Sequence, residues 1–149
     1  MRKITLEPIG IIHTSFSIND KLPRQGRFAE NVVSYVKLDK KFTDGLMDLD
    51  TFTHAILIFY FHESIFIDLI QKPKRDIKPH GIFATRTPQR PSGIGMTTVK
   101  LKSISDNIIE FYGADMINGT PLLDIKPYIK DIDSYPDAGK GWLGDLMKE

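Results

Sequence analysis

Residues 85–96 combine residue types that suit a ligand-binding loop. These twelve residues include two prolines, two glycines and the arginines Arg86 and Arg90. Because proline fixes φ and glycine lets the backbone approach a ligand closely, such a loop can present a rigid wall of peptide groups to a flat ligand. A hairpin connection with surface arginines uses the same residues, and composition alone favours that simpler interpretation.

Ionisable residues also surround an Asn-Gly turn signal at 118–119. Asp115 precedes this turn, and Asp124, Lys126 and Tyr128 follow it. Strand alternation predicts that the last three side chains share one face of a strand. A surface ion pair between Asp124 and Lys126, worth under about 1 kcal/mol, is the alternative that involves no chemistry.

Histidines stand at both ends of an apolar run, as His54 and as His62 followed by Glu63. A His–Glu pair can bind a metal or exchange protons. We predict no metal site, because the spacing matches no common zinc pattern and the chain has no cysteine. The basic run at 72–80 can hold phosphates through its four Lys and Arg residues, although a solvated loop is the commoner outcome.

Several function classes are disfavoured by what the sequence lacks. It has no Gly-x-Gly-x-x-Gly loop, Walker loop, nucleophile-elbow serine or kinase motif set, which disfavours a Rossmann-type methyltransferase. The formal net charge is +1, so any nucleic-acid contact must come from a local patch. We expect a cytoplasmic protein without membrane contact, because no signal-peptide pattern is present and the longest apolar run, residues 55–61, is too short for a membrane helix.

The elements that must position these residues are mainly strands. With 149 residues, no repeat and no linker, residues 1–149 are expected to form one domain. Short apolar segments between turn residues predict strands at 8–14, 32–38, 55–61, 81–87, 97–104, 108–115 and 122–128. Residues 55–61 are apolar throughout, which predicts a strand covered on both faces, and Pro127 would confine the last strand to an edge.

Helical signals are few. Short helices are predicted from Thr43 or Asp44 to Phe52 and from Ser64 to Ile70. Closing the predicted strands on themselves would remove exposed sheet edges. The predicted fold is therefore mainly β: a single small closed β-barrel of about six or seven strands with a few short helices.

Five sequence blocks, in order along residues 6–138, resemble the TsaA-like, or TrmO, family. The blocks are Pro8-Ile9-Gly10-Ile11-Ile12-His13-Thr14; Pro23-Arg24-Gln25; Gly45-Leu46 with Phe52-Thr53-His54 and Phe61-His62; Phe83-Ala84-Thr85-Arg86-Thr87-Pro88 with Arg90-Pro91 and Ile94-Gly95-Met96; and Asn118-Gly119-Thr120-Pro121 with Asp124-Ile125-Lys126-Pro127-Tyr128. The resemblance implies a small β-barrel that binds S-adenosylmethionine and usually forms a homodimer. It also implies methylation of N6 of N6-threonylcarbamoyladenosine at tRNA position 37, beside the anticodon.

The resemblance further implies which residues contact the cofactor: Gln25, Gly26, Arg27, His62, Glu63, Arg86, Met96, Tyr112, Gly113, Ala114 and Asp115. The acceptor N6 carries a carbonyl group and is a poor nucleophile, so a residue that accepts its proton would help. We assign this role to Asp115, Asp124 or Tyr128, among which the sequence does not choose. Lys126 is expected to stabilise the threonylcarbamoyl oxygens or a phosphate.

This sequence departs from the family pattern at three places. Ser92-Gly93 replaces the usual Asn-Pro, Asn118 the common Asp, and Glu63 the common Gln. Two alternatives therefore stay open. One is a methyltransferase of the same fold that acts on another substrate, and the other is a non-enzymatic barrel that binds RNA or the cofactor.

Overall fold

Six antiparallel strands close a barrel in the computed structural model, which describes residues 2–20, 31–73, 76, 78–144 and 146. In chain order the strands are β1 Gly10–His13, β2 Val33–Leu38, β3 His54–Tyr60, β4 Ile70–Gln71, β5 His80–Gly81, β6 Ile94–Ser105, β7 Ile108–Tyr112 and β8 Thr120–Pro127. The barrel follows the order β1-β2-β7-β6-β3-β8 and closes where β8 pairs with β1, while β4 and β5 form a separate two-stranded sheet. The predicted mainly β, closed-barrel fold is confirmed.

Alternating burial along the strands builds the barrel interior. In β3, Ala55, Leu57 and Phe59 are buried, whereas the side chains between them are half-buried and Tyr60 is exposed. The prediction that residues 55–61 are covered on both faces is therefore wrong, because an antiparallel barrel wall buries one face of each strand. The buried inward side chains form one core: Ile12, Val36, Leu38, Leu49, Ala55, Leu57, Phe59, Val99, Ile109, Phe111, Ala114, Met116 and Leu122.

The strand predicted at 81–87 and the helix predicted from Ser64 to Ile70 are both wrong. The extended region is limited to β5, and the chain then turns through a 3-10 helix at Ile82–Ala84. The Asp68 carboxylate accepts from Leu69 N at 2.6 Å, which competes with helical hydrogen bonding, and Ile70 instead pairs with Gly81 in the small sheet.

The last barrel strand is not an edge strand, contrary to the prediction from Pro127. β8 pairs with β3 along most of its length and with β1 at residues 120–122. Tyr128 N donates to His54 O at 3.1 Å, so the ring nitrogen of Pro127 faces the opposite side, where β1 no longer pairs. The barrel therefore tolerates a proline at this strand end.

Helices in the described chain are short. The segment predicted as a helix from Thr43 or Asp44 to Phe52 forms two 3-10 helices, at Lys40–Leu46 and Leu49–Thr51. The first begins at Asp39, whose side chain accepts from Lys41 N. A single turn of α-helix, α1 at Lys130–Asp133, follows the last strand, and a 3-10 helix covers Gly141–Leu143.

The chain divides into two compact units. Met1–Glu63 and Ile94–Tyr128 form the unit that contains the barrel, and Ser64–Gly93 and Ile129–Glu149 form the other. Within the second unit, the Trp142 ring stacks on His80 with 3.9 Å between centroids, and its Nε1 donates to Ala84 O at 2.8 Å. Whether residues 1–149 fold as one domain stays a prediction. Among the described residues, no helix has the length and apolar character needed to cross a membrane.

Candidate functional site at the barrel end

The loop at residues 113–119, which joins β7 to β8, enters the barrel end. Ala114 and Met116 are buried members of the barrel core. Gly113 is buried as well and has a φ of 94°, a left-handed conformation that glycine adopts without a steric penalty. The loop therefore carries Asp115, which lies between these buried residues, into the end of the barrel.

A buried threonine holds the Asp115 carboxylate. Thr97 Oγ1 donates to Asp115 Oδ1 at 2.6 Å, and Thr97 is an inward residue of β6 with 7% of its surface exposed. A hydrogen bond to an ionised carboxylate is among the stronger ones in proteins, about 1.5–3 kcal/mol. Because Thr97 pairs with Leu57 of β3, the threonine holds the carboxylate against a hydrogen-bonded part of the barrel wall.

The last residues of β1 and the residues that follow it hold the second half of the 113–119 loop. Gly119 N donates to Ile12 O at 2.9 Å, and Asn118 N donates to Phe16 O at 2.8 Å. Asn118 Oδ1 accepts from Thr14 N at 3.2 Å. The tight turn predicted at 118–119 is confirmed, with a φ of 83° at Gly119. The acceptor oxygen of Asn118 does what an aspartate could also do at this position.

His62 borders this turn. A Cβ built on Gly119 would lie 3.9 Å from His62 Nε2, which itself lies 3.8 Å from Glu63 Oε1. His62 Nδ1 is buried, and no group among the described residues forms a hydrogen bond with it. Leaving a buried polar atom unsatisfied costs about 1–3 kcal/mol, so this nitrogen is suited to a polar group of a bound ligand.

The other ionisable candidates lie on the outer wall of the barrel. Asp124 and Lys126 form an ion pair of 2.9 Å and pair with outward residues of β3. The Tyr128 ring lies edge-on to the His54 ring, with 6.3 Å between centroids. Asp124, Lys126 and Tyr128 thus share a face, as strand alternation predicts, whereas Asp115 lies inside.

The family of the chain follows from a comparison of its sequence with models of known families. Residues 11–134 match the model of the tRNA-methyltransferase O N-terminal domain. The chain belongs to this family. The resemblance to TrmO proteins that the five sequence blocks indicate is therefore confirmed over most of the chain.

Curated relatives and solved structures extend this result to TrmO proteins. A probable S-adenosyl-L-methionine-binding protein of Pyrococcus abyssi is 40% identical over 140 residues, which are 94% of this chain and 76% of the relative. Rat tRNA (adenine(37)-N6)-methyltransferase is 37% identical over 135 residues, which are 86% of this chain and 31% of that protein. The crystal structure of TrmO from Pseudomonas aeruginosa matches with a TM-score of 0.81 and 32% identity, over 95% of this chain and 62% of the TrmO chain.

The cofactor residues implied by the TrmO resemblance fall on several parts of the structure. His62, Glu63, Gly113, Ala114 and Asp115 lie at or near the barrel end. Two others point outward from the wall, namely Met96, which is 59% exposed, and Tyr112, the last residue of β7. Arg86 is exposed and belongs to the unit that contains β4 and β5. Gln25, Gly26 and Arg27 lie outside the described residues.

Thr97 is the site residue that the sequence analysis missed. Its sequence signal is weak: a polar residue at an inward position of an alternating strand, between Gly95 and Val99. Arg90, in contrast, stabilises the loop to which it belongs, because its Nη1 donates to Thr85 O at 2.8 Å. Within the described part of the chain, no three or more His, Asp or Glu side chains are placed to hold a metal ion.

Proposed function

We propose that this TrmO-family protein is an S-adenosylmethionine-dependent methyltransferase that methylates N6 of N6-threonylcarbamoyladenosine at position 37 of tRNA. The match of residues 11–134 to the tRNA-methyltransferase O N-terminal domain carries the proposal. The name of the rat relative, tRNA (adenine(37)-N6)-methyltransferase, supports the adenine at position 37. That this adenosine carries a threonylcarbamoyl group is implied by the resemblance of the sequence to the TrmO family.

The barrel end suits a cofactor that offers both hydrogen-bond donors and acceptors. His62 Nδ1 is a buried atom in need of a partner, and the Asp115 carboxylate accepts hydrogen bonds. Bound there, S-adenosylmethionine would supply a methyl group on a positively charged sulfur, and His62 and Asp115 would help to orient it toward the acceptor nitrogen.

Asp115 is our choice for the residue that accepts the N6 proton. Thr97 Oγ1 holds Asp115 Oδ1 at 2.6 Å, which fixes the carboxylate at the barrel end. Asp124 is engaged by Lys126, and Tyr128 contacts His54, both on the outer wall. Proton acceptors of this kind contribute about 100- to 10,000-fold to rate.

Calorimetric titration with S-adenosylmethionine tests the cofactor site. We expect the wild-type protein to bind the cofactor. We expect His62→Ala to bind it at least about tenfold more weakly, because the substitution removes the hydrogen bond proposed between His62 Nδ1 and the cofactor. His13→Ala is the matched control, since His13 lies on β1 and stacks on Tyr35. Arg86→Ala tests the arginine implied by the resemblance. Equal affinity of His62→Ala and wild type would remove His62 from the site.

Methyl transfer to tRNA that carries N6-threonylcarbamoyladenosine tests the reaction, with the product nucleoside identified by mass spectrometry. We expect Asp115→Asn to lower kcat by about 100-fold or more while the protein still binds the cofactor. Asp137→Asn, an exposed carboxylate in the second unit, is the control. Cofactor binding without transfer to this tRNA would instead favour another acceptor or a non-enzymatic role.

We also propose that the protein forms a homodimer in the cytoplasm, where tRNA is found. The outer wall of β3 and β6 exposes Tyr60, Ile94 and Met96, which gives an apolar surface for a second copy. Light scattering at micromolar concentration should give twice the chain mass of 17.0 kDa. A monomer mass would contradict the dimer, and Ile94→Lys should shift the wild-type dimer toward monomer.

A further inference from the structure

Four outward side chains form a continuous row across the barrel wall: Tyr112, Lys100, His54 and Tyr128. Tyr112 lies opposite Lys100, and Lys100 opposite His54, in the strand register. Tyr128 completes the row, since its backbone N donates to His54 O at 3.1 Å. With about 4.8 Å between neighbouring strands, the row is about 14 Å long. We refer to these four residues as the outer aromatic row.

Lys100 gives this row an available positive charge. The lysine is exposed, and no carboxylate among the described residues lies within 4.0 Å of its ammonium group. The two flanking lysines differ, because Lys102 pairs with Glu110 at 3.0 Å and Lys126 pairs with Asp124 at 2.9 Å. On a protein with a formal net charge of only +1, Lys100 is therefore placed to attract an external anion locally.

The aromatic rings beside Lys100 are held in place before any partner arrives. Thr53 Oγ1 lies 2.9 Å from His54 Nδ1, and the edge-on Tyr128 ring supports the imidazole from the other side. Tyr112, His54 and Tyr128 are all half-buried, so each ring is anchored at the wall and keeps part of its surface open. Ordered rings lose little entropy when another flat group stacks on them.

We propose that the outer aromatic row binds single-stranded RNA, stacking unpaired bases on its rings and contacting a phosphate through Lys100. Half-open aromatic rings beside an unpaired lysine on a β-barrel wall are the combination that sequence-tolerant binding of single strands uses. A row of about 14 Å can contact two or three nucleotides. The inference rests on the proposed function in one respect: the RNA strand is the anticodon loop that carries the methylated base.

This assignment changes the roles expected for two tyrosines. Tyr112 is implied as a cofactor contact by the resemblance, and Tyr128 is one of the candidate proton acceptors. Both side chains lie in the row, whereas Asp115 is held by Thr97 on the inner side of the wall. In the proposal, these tyrosines hold the RNA and take no part in cofactor binding or proton transfer.

Fluorescence anisotropy with a labelled RNA hairpin whose loop copies an anticodon loop tests the row. We expect Tyr112→Ala and Tyr128→Ala each to weaken RNA binding by about 5-fold or more, the loss of one stacked base. Lys100→Ala should lower the slope of log Kd against log salt by about 0.7, the value for one phosphate contact on a single strand. Tyr35→Ala and Lys37→Ala, on the outer face of β2, are the matched controls and should bind like the wild type.

The same variants are titrated with S-adenosylmethionine, and their folding is checked by thermal melting. Unchanged cofactor affinity with weakened RNA binding is the expected pattern. Tyrosine variants that lose cofactor affinity but bind RNA normally would overturn the proposal, as would a wild-type protein that does not bind the hairpin. Lys100 is exposed, so Lys100→Ala keeps the test valid if a tyrosine variant fails to fold. If the row binds RNA but the protein transfers no methyl group, the proposed methyltransferase function is contradicted and RNA binding by the outer aromatic row is still supported.

Discussion

At the scale of single residues, inward and outward placement separates the chemistry of the candidate groups. Asp115 and Asp124 are both aspartates close to the 118–119 turn, yet one is bound by a buried threonine and the other by an exposed lysine. An exposed ion pair contributes about 0–1 kcal/mol, so the outer pair adds little to stability. The inner hydrogen bond instead fixes the position of a carboxylate where a cofactor and a base are proposed to meet.

Thr97→Val removes the hydroxyl that holds Asp115 and keeps the shape of the side chain. We expect kcat for tRNA methylation to fall about tenfold, because one hydrogen bond to a charged group is lost and the carboxylate is less well positioned. Thr98→Val is the matched control, because Thr98 is the next residue and points outward. Equal effects of the two substitutions would contradict a positioning role for Thr97.

Glu110 provides a residue-scale prediction about pH. The Ser103 hydroxyl donates to Glu110 Oε2 at 2.7 Å and lowers the pKa of this carboxyl below its ordinary value of 4.5, and Lys102 lowers it further. A lowered folded-state pKa contributes stability above the unfolded value, and the contribution is lost as the pH falls through the folded-state pKa. We therefore expect Glu110→Gln to unfold at lower urea than the wild type at pH 7, with a difference that shrinks below pH 4.5.

A second substitution, Ser103→Ala, tests the cause of this effect, because it removes the hydrogen bond that lowers the pKa of Glu110 most. It should reproduce most of the loss seen with Glu110→Gln. A wild-type advantage over Glu110→Gln that is the same at pH 7 and pH 3 would show that the carboxylate charge does not contribute.

At the scale of elements, close approach of the strands fixes which residues the barrel accepts. A Cβ built on Gly10 of β1 would lie 2.7 Å from Lys37 O and 2.9 Å from Leu38 Cα, both backbone atoms of β2. Backbone atoms in a paired strand cannot move aside as a flexible side chain can. Glycine is therefore required here for the first two strands to pair.

Gly10→Ala should destabilise the protein by about 1–3 kcal/mol, because the added methyl group forces β1 and β2 apart. The measurement is the urea midpoint of unfolding followed by circular dichroism. Gly45→Ala is the matched control: nothing lies within 4 Å of a Cβ at that position. The control should be neutral or more stable by about 0.4–1 kcal/mol. Equal stability of Gly10→Ala and the wild type would contradict the close approach.

At the scale of the whole molecule, the single tryptophan of the chain, Trp142, lies in the second unit. Trp142 is partly buried against His80, and His80 Nε2 lies 2.9 Å from Asp76 Oδ2. The fluorescence of Trp142 therefore follows its packing against His80 and Ala84, while far-ultraviolet circular dichroism is dominated by the strands of the barrel unit.

His80→Ala should move the Trp142 emission maximum to longer wavelength, because removing the stacked imidazole exposes the indole ring to water. His80→Phe keeps a flat ring at this position and should give a smaller shift. The barrel signal in circular dichroism should stay unchanged in both. An unshifted emission maximum in His80→Ala would mean that the two rings are not stacked in solution.

The sequence by itself determined the class of the fold and the family. The strands are recognisable because short apolar segments are separated by turn residues. Six of the predicted segments form the barrel strands β1, β2, β3, β6, β7 and β8. The tight turn at 118–119 and the shared face of Asp124, Lys126 and Tyr128 also depend only on neighbours in sequence. The two elements that were predicted wrongly, the helix at 64–70 and the strand at 81–87, lie in segments that pair with each other through Ile70 and Gly81.

Only the tertiary structure decided which functional groups meet. The contact between Thr97 and Asp115, the position of His62 beside Gly119, and the row from Tyr112 to Tyr128 each join residues from different strands or loops. These contacts follow from the order in which the strands pair and from the register of each pair. No local pattern contains that information, because a shift of one residue in register would exchange the inner and outer faces of a whole strand.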